Sequence, residues 1–129
     1  MKTTVIVALI VISFIGFYMY AQKKSPPSNS SLSISTIQTD IASGGQLIDV
    51  RTAEEYKTSH IDGAINLSLQ DIEQGTLPTA QKDKPVYVYC RSGSRSGQAT
   101  MRLKAAGYQN IIDLGAMTHV QSIGGSIRN

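Results

Sequence analysis

The sequence predicts an α/β domain in three layers, with a central parallel sheet between helices, preceded by a hydrophobic N-terminal helix. Three observations carry that prediction. Short β-branched or aromatic runs alternate with segments of helical spacing over the C-terminal three quarters of the chain. One of these runs, Val86 to Tyr89, is introduced by Pro85 and delivers the single cysteine, Cys90, into a loop of Arg, Ser and Gly that opens a helix. Upstream of all this, Val5 to Ala21 is an uncharged run of 17 residues, about 26 Å long as a helix and at the short end of what spans a bilayer.

In chain order, residues 1–24 read as a transmembrane anchor or signal segment, with membrane contact through residues 4–21. A cut after Ala21 would place bulky Met19 three positions upstream, which favours an uncleaved anchor over a cleaved secretory signal. Residues 25–33, with two prolines among small polar residues, form a linker, and residues 34–129 form the folded domain. Ser35 and Gln38 resemble a capping box for a first helix that Gly44 and Gly45 end. Gln46 to Val50 is a short strand, and Thr52 with Glu55 caps a helix through about Ser59.

Ala64 to Leu67 reads as a short strand after a turn at Gly63, and Asp71 to Thr79 as a helix and loop. Lys82 to Lys84 reads as a solvated turn. Ala99, Leu103 and Ala106 set the apolar spacing of the helix after Cys90, which Gly107 terminates. Asn110 to Leu114 is the last predicted strand, Ala116 to Ile123 a short helix, and Gly124 to Asn129 a frayed tail.

The net charge of +3 does not describe the domain. From Ile34 onward nine Lys or Arg face nine Asp or Glu, and the excess is Lys2, Lys23 and Lys24, which flank the apolar run. There is no basic stripe for nucleic acid. Two isolated histidines, His60 and His119, and one cysteine make no metal site and imply no cofactor.

Cys90 carries the chemistry. A thiolate is the nucleophile, and a free thiol with pKa of about 8.5 supplies little of it at neutral pH. At a helix N-terminus, free N–H groups and the positive end of the dipole favour an anion, and Gly93 permits the tight turn that brings successive amides to the sulfur. Arg91 and Arg95 are disfavoured at that end unless an anion lies between them, and their forked geometry suits an oxyanion. Asp49 and Arg51, at a strand end, read as a structural ion pair supporting the site, and His60 as a loop histidine holding backbone groups.

These residues fall in three motifs: Asp49-Val50-Arg51, the segment His60 to Asn66, and the loop Cys90 to Arg95. In their order and spacing, the stretch Leu47 to Leu114 resembles a single-domain rhodanese, a sulfurtransferase family, and the Ser-Gly-Gln-Ala continuation is most similar to its periplasmic phage-shock branch. The resemblance implies a three-layer rhodanese-like domain in which Cys90 takes the outer sulfur of thiosulfate, releases sulfite and passes the sulfur from a persulfide to cyanide or a thiol. It implies that the amides of Arg91, Ser92, Gly93, Ser94 and Arg95 stabilise the persulfide while the Arg91 and Arg95 side chains attract the substrate anion, and that the domain lies in the periplasm, tethered to a bacterial inner membrane or secreted after signal cleavage. Gly115-Ala116-Met117 replaces a more usual glycine-rich turn leading to tryptophan, and Ser94 stands where many relatives carry a basic residue.

Two other readings stay open. A sulfur-relay or redox interaction module would take its sulfur from a protein donor. A cysteine phosphatase or arsenate reductase would need five residues between cysteine and arginine, whereas Arg95 leaves four and Ser96 occupies the fifth-spacing position.

Overall fold

A computed structural model describes residues 31–129, and from Leu32 onward they form one compact unit. The predicted anchor and most of the linker lie outside the described residues; among those described, no helix is long and apolar enough to cross a membrane.

The elements in order are α1 (Ile34–Ala42), β1 (Gln46–Asp49), α2 (Ala53–Thr58), β2 (His60–Ile61), β3 (Ile65–Asn66), α3 (Leu69–Glu73), β4 (Val86–Cys90), α4 (Ser94–Ala105), β5 (Ile111–Ala116), α5 (Met117–Ser122) and β6 (Ile127–Arg128). Four strands make a parallel sheet in the order β3-β1-β4-β5, with β4 at its centre beside β1. Alternation along β4 sorts its side chains onto two cores. Val86, Val88 and Cys90 pack with Ile48, Val50, Ile72, Ala99 and Leu103 under α3 and α4. Tyr87 and Tyr89 face the other way, with Leu47, Ile37, Ile61, Leu114 and Val120 under α1 and α5. All five residues of β4 are buried, so its end is a fixed platform for Cys90.

The predicted parallel three-layer architecture is present, with four local departures. The first helix is capped by Ser33, not Ser35: Ser33 has extended backbone (φ −129°, ψ 158°) and accepts from the Thr36 N–H, while Ser35 already lies inside the helix. Lys82 is not simply solvated, because its ammonium donates to the Ala106 carbonyl at 2.6 Å and so satisfies the end of α4. The tail is not frayed, since β6 pairs antiparallel with β2, matching His60 to Arg128 and Ile61 to Ile127. Arg128 also meets Asp62 at 2.9 Å. The α3 helix begins at Leu69, ahead of the expected Asp71, because Ser68 and Asp71 form its capping box. Between α1 and β1, a side chain at Gly45 would stand 2.7 Å from the Pro85 carbonyl, so only glycine lets the chain enter the sheet there.

Candidate active site

β4 ends at Cys90, and α4 begins four residues later, with Gly93 as its N-cap at φ +101°. An L side chain is strained in that conformation, which explains the glycine. Glycine has no side chain with which to cap the helix, and the cysteine sulfur takes that place: the Gly93 N–H donates to Cys90 Sγ at 2.9 Å. Burial alone would push the thiol up, but hydrogen bonding from the Ser96, Gly93 and Ser92 amides and from the Ser96 hydroxyl outweighs it and lowers the Cys90 pKa below its ordinary value. The arrangement stabilises a thiolate by dipoles, without a cation in contact.

The two arginines of the loop have different surroundings. Arg91 is exposed and lines a pocket of about 420 Å³ with Arg51, Glu55, Met117 and Gln121. Arg95 is half-buried and grips Glu55 in a fork, Nη1 to Oε2 at 2.6 Å and Nη2 to Oε1 at 3.0 Å. The anion beside Arg95 is therefore a carboxylate of the protein itself, where the sequence pointed to an anion held between Arg91 and Arg95. Glu55 also accepts from the Thr52 N–H, closing the α2 capping box, and its pKa is lowered to about 2, mainly by the hydrogen bond from Arg95. Ser92 and Ser94 are exposed on the outside of the loop.

Asp49 and Arg51 are 0% and 7% exposed, paired at 2.7 Å, at the end of β1 next to Cys90's strand. Asp49 Oδ1 accepts from the Arg51 N–H and Nε, and Oδ2 accepts from Arg51 Nε and Nη2 and from the Tyr89 hydroxyl at 2.7 Å. Arg51 donates onward to the Ser59 carbonyl at 2.6 Å, and Asn66 donates to the Asp49 and Arg51 carbonyls. His60 donates from Nδ1 to the Tyr56 carbonyl and stacks on the Tyr56 ring at 3.9 Å. These residues bind the loops around β1 and β4 to one another.

Sequence reasoning missed two participants. Glu55 showed itself only as a helix-capping residue, and nothing local links it to an arginine forty positions away. Ser96 served only to count loop length, yet it is fully buried with Oγ 3.6 Å from Cys90 Sγ. Its signal was a small polar residue on the apolar face of the helix, in register with Ala99 and Leu103.

Known proteins share this chain's sequence pattern and fold. The chain is 41% identical over 80 residues to the thiosulfate sulfurtransferase PspE of Escherichia coli, covering 60% of this chain and 67% of that protein. It is 32% identical over 117 residues to YqhL of Bacillus subtilis, covering 88% and 86%. A solved rhodanese with anions from E. coli superposes with a TM-score of 0.58 at 32% identity, covering 66% of this chain and 98% of that one. The rhodanese-like domain profile matches residues 33–118, from the cap of α1 to the start of α5 and across all three motifs, and the chain belongs to the rhodanese-like domain family.

Proposed function

We propose that this protein is a thiosulfate sulfurtransferase working through a persulfide on Cys90. The observation that carries the reading is the sulfur at the head of α4, held by N–H groups in place of a capping side chain. The Cys90 thiolate attacks the outer sulfur of thiosulfate, an S–S bond forms, and the donor's S–S bond breaks with its electron pair leaving on sulfite. Cyanide or a thiolate then attacks the outer sulfur of the persulfide, and the pair returns to Cys90 Sγ. The loop amides stabilise the negative sulfur at both stages, and Arg91 attracts the anionic donor. Mass spectrometry after thiosulfate treatment is expected to find one added sulfur on Cys90 and none on Cys90→Ser; a folded wild-type protein that gains no sulfur refutes the reading.

A protein donor is the second reading, supported by the pairing of Arg95 with Glu55, which leaves Arg91 as the uncompensated cation of the loop for a small anion. A persulfidated protein that loads Cys90 faster than thiosulfate does would favour it. Phosphoryl chemistry fits less well, since the guanidinium of Arg95 is already taken by a carboxylate.

For residues 1–24 we propose a membrane anchor, supported by the uncharged run Val5 to Ala21 between Lys2 and Lys23-Lys24, and we place the domain in the periplasm on its likeness to the phage-shock rhodaneses alone, since the flanking charges balance. The amino-terminal residue of the mature protein tests it: Met1 fits an anchor, and a start near Gln22 fits a cleaved signal.

A further inference from the structure

The hydroxyl of Ser96 has more acceptors around it than it has protons. Oγ lies 3.0 Å from the Gly93 carbonyl oxygen, 3.5 Å from that of Gly115 and 3.6 Å from Cys90 Sγ. Gly115 comes this close because β5 carries a bulge: Val88 faces Asp113 and Tyr89 faces Gly115, so Leu114 is skipped, and Gly115 N–H turns back to Asp113 Oδ1 at 2.8 Å. Carbonyl oxygens only accept. With Cys90 neutral, its S–H points to Ser96 Oγ and the Ser96 proton goes to a carbonyl. With Cys90 ionised, Sγ becomes the strongest acceptor in reach, because a bond to a charged acceptor is about twice as strong as one to a neutral group. Turning away leaves no orphan at Gly93, whose carbonyl keeps the Gly97 N–H at 3.1 Å.

We propose that Ser96 is a positioning residue for sulfur transfer, its hydroxyl turning from the backbone carbonyls of Gly93 and Gly115 to Cys90 Sγ each time the sulfur carries negative charge. That happens twice per cycle: before attack on the donor, and when the outer sulfur departs to the acceptor. The proposal rests on the persulfide cycle above, but its test does not. The ionisable groups on the elements around Sγ are Arg91 and Arg95 on its loop, Arg102 and Lys104 further along α4, Glu54, Glu55, Tyr56 and Lys57 on α2, Asp49 and Arg51 at the end of β1, Tyr87 and Tyr89 on β4, Asp113 on β5 and His119 on α5. Glu55 is matched by Arg95 and Asp49 by Arg51, while Arg91, Asp113 and His119 are exposed, and no side chain among them bonds to Sγ.

Cys90 is the sole cysteine, so the ultraviolet absorbance of its thiolate is read directly in the full chain against Cys90→Ser as blank. In Ser96→Ala the titration midpoint is expected to rise by about one pH unit, giving about tenfold less thiolate below it. The rate of persulfide formation falls in parallel at low pH and recovers at high pH. Thr100→Val is the control, because Thr100 sits one turn further along the buried face of α4 and its Oγ1 has no hydrogen-bond partner; it is expected to leave the midpoint unchanged. Ser96→Gly removes the same hydroxyl and is read in the same way should the alanine variant lose its circular-dichroism spectrum. A Ser96 variant that titrates as wild type, or a Thr100→Val shift of equal size, overturns the proposal. Failure of wild type to accept sulfur would instead refute the persulfide cycle and leave this titration standing.

Discussion

The ends of β1 and β4 lie side by side in the parallel sheet, and each holds a buried acidic group, Asp49 on one and Cys90 on the other. Asp49 is saturated: both oxygens are filled by Arg51 and Tyr89, and a guanidinium neutralises its charge. Cys90 is stabilised by amide dipoles and one mobile hydroxyl, with no countercharge bonded to it. A carboxylate whose lone pairs are all occupied is a rivet, whereas a sulfur held by dipoles keeps the electron pair it needs to attack. The same position in the fold thus yields a structural pair and a reactive group, and the partners decide which.

The sharpest way to break this comparison is to unsaturate the rivet. Arg51→Ala leaves Asp49 buried without its countercharge, and the expected loss is about 3–5 kcal/mol of folding free energy, read by urea denaturation. Loss of under about 1 kcal/mol would mean that Asp49 is solvated or protonated without Arg51, and the contrast with Cys90 would fail. The Cys90→Ser variant, by comparison, keeps the loop amides satisfied and should leave stability close to wild type.

A smaller effect is expected from Tyr89→Phe. The phenol donates to Asp49 Oδ2 and accepts the Ile61 N–H at 3.0 Å, and burial foremost, with the Asp49 carboxylate adding to it, holds its pKa well above the ordinary value. Removing it leaves two buried groups one partner short, at a cost of about 1–3 kcal/mol. Because β4 carries Tyr89 and Cys90 to opposite faces, persulfide formation per folded molecule is expected to stay within about twofold of wild type, the scale of a distant substitution. A loss of sulfur transfer much larger than the loss of fold would show that the two strand ends are not independent.

What could be read from the residues alone was what local chemistry specifies. The run Val86 to Tyr89, the glycine turn and the Ala99–Leu103 spacing lie within one continuous segment, and so do Thr52 and Glu55, so strand, loop, helix and capping box were legible there. The pairing of β2 with β6 joins residues 66 and 68 positions apart through two-residue strands, too short to leave an alternation pattern. Glu55 with Arg95, and Lys82 with Ala106, are equally non-local. Ser33 escaped because Ser33, Ser35 and Thr36 are chemically alike, and only the backbone angles tell the cap from the first turn. The loop's amides were visible as a nest, but the bulge that brings the Gly115 carbonyl to Ser96 depends on strand register, which no single segment encodes.

The mildest expected effect concerns the Glu55–Arg95 pair, which ties the sulfur loop to α2. The folded pKa of Glu55 lies at about 2, below that of an ordinary glutamate near 4.5, so the ionised form is the one that the fold favours. Its contribution to stability is therefore fully present above about pH 4.5 and is lost as pH falls from there through about 2. The pair is 28% and 31% exposed and so partly screened, and Glu55→Gln is expected to cost about 1 kcal/mol at neutral pH and to flatten the acid limb of the stability profile in that window. It also frees a guanidinium beside the loop. If loading of Cys90 by thiosulfate then speeds up at low ionic strength and not at high, the released Arg95 charge is drawing in the donor, and the pair in the wild type holds the loop's positive field in check. An unchanged rate would mean that Arg91 alone sets that field, and that Arg95 serves only to fasten the loop to α2.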